Sequence, residues 1–286
     1  MRFSWIPILS LLPKNLISQV FGFLSRLRIP LFSSFFRNIF VKLYKIDMSE
    51  AELELNQYKS LSDLFVRKLK PGMRPIAAEE IVSPVDGVLS QFGHFKDLEL
   101  SMIQAKGKKY NLGSLLRDDS LAQKFAGGTY AVIYLAPHNY HRIHSPIQGE
   151  LLASYYCPGN LWPVNADSVS RIEGLFCINE RATSHLKSPT GEMLLVKVGA
   201  TNVGRIALEY PSDWITNSSS APSRHHPLSV WKPEQPISVE AGSLLGKFEL
   251  GSTVVLVLDK NFTEKHPQIF ANKLNQKVKM GESLCS

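Results

Sequence analysis

The chain has 286 residues, 44% of them hydrophobic and 20% charged, with a formal net charge of +7 and three cysteines. That length and composition suit one large domain or two small ones around a proper core, and argue against a chain disordered throughout. An odd number of cysteines with no Cys-x-x-Cys pair argues against a disulfide framework or a zinc knuckle and fits a reducing compartment.

The charge is local. Arg2, Lys14, Arg26, Arg28, Arg37, Lys42 and Lys45 are the only charged residues before Asp47, so residues 1–46 carry the whole +7 and the remaining 25 bases balance 25 acids. A nucleic-acid-binding domain would spread its basic patch over the folded surface, so no nucleic-acid partner is expected. The uncharged stretches 3–13, 15–25 and 29–36 hold 11, 11 and 8 residues, too short for a membrane span of roughly 20. Phe32, Phe35, Phe36, Ile39, Phe40 and Leu43 recur at helical spacing and share one face, away from Ser33, Ser34, Arg37 and Lys42. Pro7, Pro13 and Pro30 break the segment into short helices. The pattern predicts basic amphipathic helices lying in a lipid interface, with Lys and Arg toward anionic head groups. Two other readings fit the same residues: a mitochondrial transit peptide and a helical hairpin packed on the domain. A secretory signal peptide fits worse, because no small-residue cleavage site follows a single apolar run.

Residues 47–74 read as a helical connector. Within it, 57–70 is a predicted helix: Ser60 and Asp63 resemble a capping box, Leu61, Leu64, Phe65 and Leu69 share a face, and Pro71-Gly72 stops it. From about residue 75 the texture changes to short β-like runs between Gly and Pro turns, as in Tyr130–Leu135, Leu194–Val198, Arg205–Tyr210 and Thr253–Leu258. Residues 211–236, with six Ser and five Pro, read as a long loop. No internal repeat stands out. The expected fold is α+β: a compact, mainly β domain over 75–286, preceded by membrane-surface helices over 1–46.

Three segments of that domain carry polar chemistry. Asp86 in Ser83-Pro84-Val85-Asp86-Gly87 has the form of an ordinary turn aspartate. His138, His141 and His144, three of the eight histidines, lie between Pro137 and Pro146. Residues three apart in a strand point to opposite faces, and no second ligand cluster accompanies them, so a metal is not expected. A pair of working histidines, one a general base, suits the spacing better. Gly251-Ser252-Thr253 opens an apolar strand and lacks the glycines of a hydrolase nucleophile elbow, so by itself it marks only a strand start.

Taken together these segments resemble the phosphatidylserine decarboxylases of the bacterial and mitochondrial type. The resemblance rests on Leu250-Gly251-Ser252-Thr253 near the C-terminus, and on Phe65-Val66-Arg67 with Arg74-Pro75-Ile76. It continues through Pro84-Val85-Asp86-Gly87, Gln104-Ala105-Lys106-Gly107 and Tyr140-His141-Arg142-Ile143-His144. Pro158-Gly159 with Val164-Asn165, Asn179-Glu180-Arg181 and Val198-Gly199-Ala200-Thr201 complete it. His138 is not a motif residue and reads as structural. Each piece is short; their order and spacing are specific.

The resemblance implies an enzyme, a carboxy-lyase, that turns phosphatidylserine into phosphatidylethanolamine for phospholipid biosynthesis. It implies a proenzyme that cuts itself between Gly251 and Ser252. The Ser252 hydroxyl attacks the Gly251 carbonyl, the peptide becomes an ester, β-elimination frees the upstream chain, and the dehydroalanine hydrolyses to a pyruvoyl group and ammonia. The products are chains 1–251 and 252–286. Asp86, His144 and Ser252 are implied as the self-cleavage triad, and His141 as the residue that positions substrate or transfers a proton. The cofactor is the covalent pyruvoyl group, which takes the substrate amine as a Schiff base; no metal and no pyridoxal phosphate are implied. The implied partners are phosphatidylserine in a bilayer, an anionic membrane surface and, in a homodimer, a second copy. The implied place is the cytoplasmic face of a bacterial cell membrane, or else the mitochondrial inner membrane. A Ser-His-Asp hydrolase, which keeps Ser252 as a free serine, and a non-catalytic lipid-binding β-domain are the rival readings.

Overall fold

The computed structural model describes residues 13–96, 100–104, 108–201, 205–218, 221–222, 225–249 and 252–285, with Ser252 described by its backbone alone. Two helices come first, α1 (Lys14–Arg26) and α2 (Pro30–Tyr44), divided at Pro30, which occupies the first turn of α2 where its missing N–H costs nothing. Among the described residues no helix is long and apolar enough to cross a membrane.

The helices turn their polar residues inward. Lys14, Ser18 and Ser25 of α1 and Ser33 and Arg37 of α2 are buried, whereas Leu31, Phe35 and Leu43 are 87%, 61% and 67% exposed. The domain supplies polar partners for that inner face. Asn15 donates to the Gly159 carbonyl, Gln19 donates to the Asn217 side-chain oxygen, and Arg26 pairs with Glu249 at 3.3 Å. Lys14 sits 4.0 Å over the Trp162 ring. The basic residues therefore do not all point to solvent as the sequence suggested; Lys42 and Lys45 do.

The helix expected over 57–70 shortens to α3 (Leu61–Phe65), with the Ser60 hydroxyl accepting from Asp63 N–H at 3.0 Å as the N-cap. It stops because backbone pairing competes: Leu69 bridges Ala51, Glu52 N–H donates to Lys68 O and Lys70 N–H to Glu50 O. Leu69 thereby leaves the helical face.

The strands follow as β1 (Gly87–His94), β2 (Ser101–Ile103), β3 (Lys109–Asn111), β4 (Thr129–Leu135), β5 (Arg142–His144) and β6 (Gly149–Cys157). Next come β7 (Arg181–Lys187), β8 (Glu192–Val198), β9 (Ile206–Leu208), β10 (Ser229–Trp231), β11 (Ile237–Val239), β12 (Leu244–Phe248), β13 (Ser252–Leu258) and β14 (Lys277–Val278). An antiparallel sheet runs β10-β6-β7-β8-β13-β4-β1-β14, with β11 also on β6; β5-β12-β9 form a smaller sheet and β2-β3 a ribbon. The α+β class is as the sequence reads, and among the described residues of 211–236 the one strand is β10, with Ile215 bridging Ala207.

β13 lies in the middle of the large sheet. It pairs with β4 from Ser252↔Leu135 to Leu258↔Thr129 and with β8 from Thr253↔Val198 to Leu258↔Met193. Its alternate residues feed two cores, because successive strand residues point to opposite faces. Val254, Leu256 and Leu258 join Ile133, Leu195 and Phe262; Val255 and Val257 join Phe65, Leu115 and Phe125. A peptide beginning at Ser252 keeps both edges paired and both faces buried.

Candidate active site

β4 delivers the histidine segment. At its end the Asn139 side chain accepts from Ala136 N–H at 2.8 Å, closing a turn that aims Tyr140–His144 back toward the domain. β5 then pairs with β12, His144 opposite Leu244, and His144 N–H donates to Pro84 O at 2.9 Å. That bond brings the histidines beside the Ser83–Asp86 turn. Arg142 fastens the segment to the connector, its Nε donating to Val66 O at 3.0 Å.

The two motif histidines are buried and the third is exposed. His144 Nδ1 lies 2.7 Å from Gly242 O, an acceptor only, so Nδ1 carries the proton and Nε2 the lone pair. Tyr140 O–H donates to that Nε2 at 3.0 Å. Burial pushes the tyrosine up to about 12 and holds it as a donor. Gly242 occupies a left-handed turn, φ +84°, where an added Cβ would lie 2.6 Å from Ile76 Cδ1; only glycine presents its carbonyl there without strain. His141 has the same tautomer: Nδ1–H donates to Asn139 O at 2.8 Å. Its Nε2 is buried with no hydrogen-bond partner among the described residues. The Phe65 ring covers it, centroid to centroid 4.0 Å. Burial lowers both histidines below the usual range, His141 to about 3; the Arg67 charge adds to the effect on His141 and the Arg142 charge to that on His144. Both rings are therefore neutral bases at neutral pH.

Asp86 is buried in the turn that precedes β1. Its carboxylate accepts from Arg74 Nε at 2.9 Å, Arg74 Nη2 at 2.6 Å and Met280 N–H at 2.9 Å. A direct Asp86–His144 hydrogen bond, as a triad implies, is not among these contacts; the Gly242 carbonyl occupies Nδ1 instead. Burial lowers the proton affinity of the His144 ring, the bond to Gly242 O opposes that, the nearby Arg142 charge adds to the lowering, and the Asp86 charge makes a smaller opposing contribution. Ser252 opens β13, and Phe248 N–H, four residues upstream, donates to His141 O at 3.0 Å. Four residues of chain span at most about 14 Å. Leu250 and Gly251 lie outside the described residues. Thr253 lines a cavity of about 490 Å³ with Gln104, Val132, Tyr134, Val164, Val169 and Phe176.

The remaining motif pieces hold the frame. Gln104 donates to Val169 O and accepts from Leu175 N–H; Ala105, Lys106 and Gly107 lie outside the described residues. Asn179 brackets Trp162 and Gly199, and Arg181 caps the carbonyls of Ser114, Leu115, Cys177 and Asn179. Arg74, Tyr140, Phe65, Gly242 and the Met280 amide were not singled out in sequence as site groups. Arg74, Phe65 and Tyr140 stand inside the motif strings and were open to notice. Gly242 and Met280 contribute backbone atoms: the glycine marks a left-handed turn but not the partner of its carbonyl, and the Met280 N–H leaves no trace in residue identity. Among the described residues no three His, Cys, Asp or Glu side chains are grouped to share an ion.

Comparison with known proteins gives a consistent result. The family model described as phosphatidylserine decarboxylase matches residues 61–286. The phosphatidylserine decarboxylase proenzyme of Anaeromyxobacter sp. (strain K) is 43% identical over 98% of this chain and 97% of its own length. Those of Myxococcus xanthus and Brevibacillus brevis are 40% and 39% identical, over 90% and 88% of this chain and 89% and 88% of their own.

The histidine electrostatics make a direct prediction. Each ring binds its proton more weakly in the folded chain than in the unfolded one, whose histidines titrate near ~6.5. Folding therefore loses stability as pH falls below that value. In a nitrogen-15 NMR titration His141 should stay in the Nδ1–H tautomer down to about 3, and His144 should take its proton below the ordinary histidine range. A His141 signal titrating as a solvent-exposed histidine would contradict the geometry.

Proposed function

We infer that this chain, which belongs to the phosphatidylserine decarboxylase family on the strength of those matches, decarboxylates phosphatidylserine to phosphatidylethanolamine after cutting itself between Gly251 and Ser252. The observation that carries this reading is the pair of buried, neutral histidines fastened to the chain just upstream of Ser252. The hydrolase and lipid-binding readings gain nothing from the relatives compared, whose names are those of decarboxylase proenzymes.

In self-cleavage, His144 Nε2 takes the Ser252 hydroxyl proton as that oxygen attacks the Gly251 carbonyl. Tyr140 holds the lone pair until the serine hydroxyl replaces it. A serine is a weak nucleophile and needs such a base, held in one tautomer by a third group. Gly242 O supplies the tautomer and Asp86 the charge that offsets part of the cost of protonating a buried ring. The ester that results breaks by elimination, leaving chain 252–286 held in place through β13.

A pyruvoyl group at residue 252 supplies the electron-accepting carbonyl that amino-acid decarboxylation needs and that no side chain offers. Two features support a bound amino-acid head group: the buried His141 Nε2, which has no hydrogen-bond partner among the described residues, and the cavity that Thr253 lines. His141, neutral to about 3, accepts a hydrogen bond from the substrate first and delivers a proton only after taking one. Phe65 keeps water off its ring.

The lipid substrate accounts for α1 and α2. Docked by their polar residues, they leave Leu31, Phe35, Phe36, Ile39 and Leu43 in the open, an arrangement that costs free energy in water and gains it in a lipid interface. The enzyme then works as a peripheral protein on the cytoplasmic face of a bacterial membrane, its amphipathic helices in the head-group layer.

Two outcomes follow. Ser252→Ala stays a single chain and evolves no carbon dioxide, while active wild-type protein loses activity to hydroxylamine or borohydride and keeps it with a chelator. Restoration by zinc of activity lost to a chelator would overturn the metal-free assignment. Replacing Leu31, Phe35 and Leu43 together with Gln leaves self-cleavage and melting temperature near wild type, because the three side chains are exposed. The same variant should sediment with phosphatidylserine liposomes at least about tenfold less, and the loss should depend little on salt, since apolar contacts are not screened. Undiminished liposome binding by the triple variant contradicts the lipid-facing assignment.

A further inference from the structure

Asp86 is held more elaborately than a turn aspartate requires. Arg74 meets it with two parallel N–H donors, the fork geometry that fixes a carboxylate in plane and position. The third donor is the backbone N–H of Met280, 194 residues away in sequence. Arg74 is itself fixed, because Nη2 also meets Glu50 at 2.7 Å and Nη1 donates to Met73 O at 2.8 Å. Burial opposes the charge on Arg74, but its bonds to Asp86 and Glu50 raise its proton affinity above the ordinary arginine value. Glu50 in turn takes Lys279 Nζ at 3.3 Å, so two neighbouring residues of the C-terminal segment reach the same cluster.

The segment that carries Met280 docks along the Asp86 turn by its backbone. Ser83 N–H donates to Glu282 O, Gly281 N–H to Ser83 O, Leu284 N–H to Ile81 O and Ala77 N–H to Gly281 O. β14 pairs Val278 with Gly87, the residue after Asp86. Gly281 turns the chain at φ +87°, where an added Cβ would lie 2.5 Å from Pro75 O. The Arg74-Pro75-Ile76 strip, the Ser83–Asp86 turn and residues 277–285 are one interlocked unit.

We propose that Arg74 and the Met280 N–H are positioning groups for self-cleavage: they set the Asp86 carboxylate where its charge acts on His144, and that arrangement is complete only once residues 277–285 have docked. The inference rests on the reading that Asp86 acts in the cut. Asp86 reaches His144 through space and not through a hydrogen bond, so its effect depends on distance and on how far its charge is offset. A carboxylate free to rotate toward solvent would lose it. The consequence is an order of events. Ser252 is made before the segment that organises Asp86, so a chain still lacking its last residues holds the nucleophile without the placed acid. Cutting waits for the C-terminus. After the cut, the donor on chain 252–286 still meets the acid on chain 1–251.

The test uses the full-length precursor made by in vitro translation, with the cut followed on denaturing gels and folding followed by thermal melts of uncleaved material. Asp86→Asn, Arg74→Gln, Arg74→Lys, Arg74→Ala, Met280→Pro and Met280→Ala are compared. Arg74→Gln should slow the cut by about a hundredfold, as does Asp86→Asn, which is the order expected for disabling the support of a general base. Arg74→Lys should recover part of the rate, and added guanidinium should speed Arg74→Ala, which a merely structural role would not predict. Met280→Pro, which removes the N–H, should be slower than Met280→Ala by about tenfold, the rate equivalent of one hydrogen bond to a charged group. Folded Arg74→Gln and Arg74→Lys variants that cut as fast as wild type while Asp86→Asn does not would overturn the proposal. So would equal rates for folded Met280→Pro and Met280→Ala, or no response of Arg74→Ala to guanidinium. If Met280→Pro fails to fold, the arginine series decides. A wild-type rate for Asp86→Asn would instead overturn the reading of Asp86, and this inference with it.

Discussion

The pairing of β13 on both edges is the constraint on which everything else depends. A protein that breaks its own backbone beside a core strand must keep that strand in register afterwards. Here Ser252 stands at the first ladder position, opposite Leu135, so a cut before it removes no pair from β13. The strand's apolar residues are buried in two separate cores, one on each face. Their burial, at roughly 25 cal/mol per Å² of apolar surface, resists departure of the small chain far more than a few exposed contacts could. β14 adds a second hold on β1. The reactive centre is thus a chain end fixed by the sheet, and the groups that act on it need to be placed only once.

Burial also sets the chemistry. His141 and His144 sit beneath the sheet connections and the connector, and loss of hydration favours their neutral form. Carbonyl oxygens fix both tautomers, so both rings offer Nε2 as the basic nitrogen. One lone pair is covered by a tyrosine hydroxyl and the other has no partner among the described residues. On the proposed function, that difference is what would separate two roles for two otherwise similar histidines. The aromatic run Tyr44–Phe40–Phe65–His141 links the outer helix to the second of them, with ring centroids 4.6, 5.9 and 4.0 Å apart.

The central strands were legible in sequence because β4 and β13 are apolar runs between turns and β8 is one interrupted only at Lys197, and such runs have few other places to go. Of the small β5-β12-β9 sheet only β9 was legible, inside the Arg205–Tyr210 run; β5 and β12 are three and five residues long, and β12 carries an irregularity of register between Leu244 and Gly246. The outward part of the α2 stripe, Phe35, Phe36, Ile39 and Leu43, follows the spacing, whereas Phe32 and Phe40 are half-buried and Phe40 packs on Phe65; the destination of the charges was not legible. Lys14 and Arg26 find an indole and a carboxylate on a domain surface that no local pattern displays. Asp86 and His144 were named from motif strings, yet the bonds that hold them come from Arg74, Gly242 and Met280. Two of those three contributions are backbone atoms brought close by folding, and periodicity carries no information about them.

The central claim is that Ser252 ceases to be a serine. Intact-mass measurement on purified wild-type protein, without prior proteolysis, addresses it most directly. The account predicts two polypeptides, one with the mass of residues 1–251 and the other lighter than a free 252–286 peptide by one ammonia. A single species with the mass of the full chain in a preparation that evolves carbon dioxide from phosphatidylserine would contradict it.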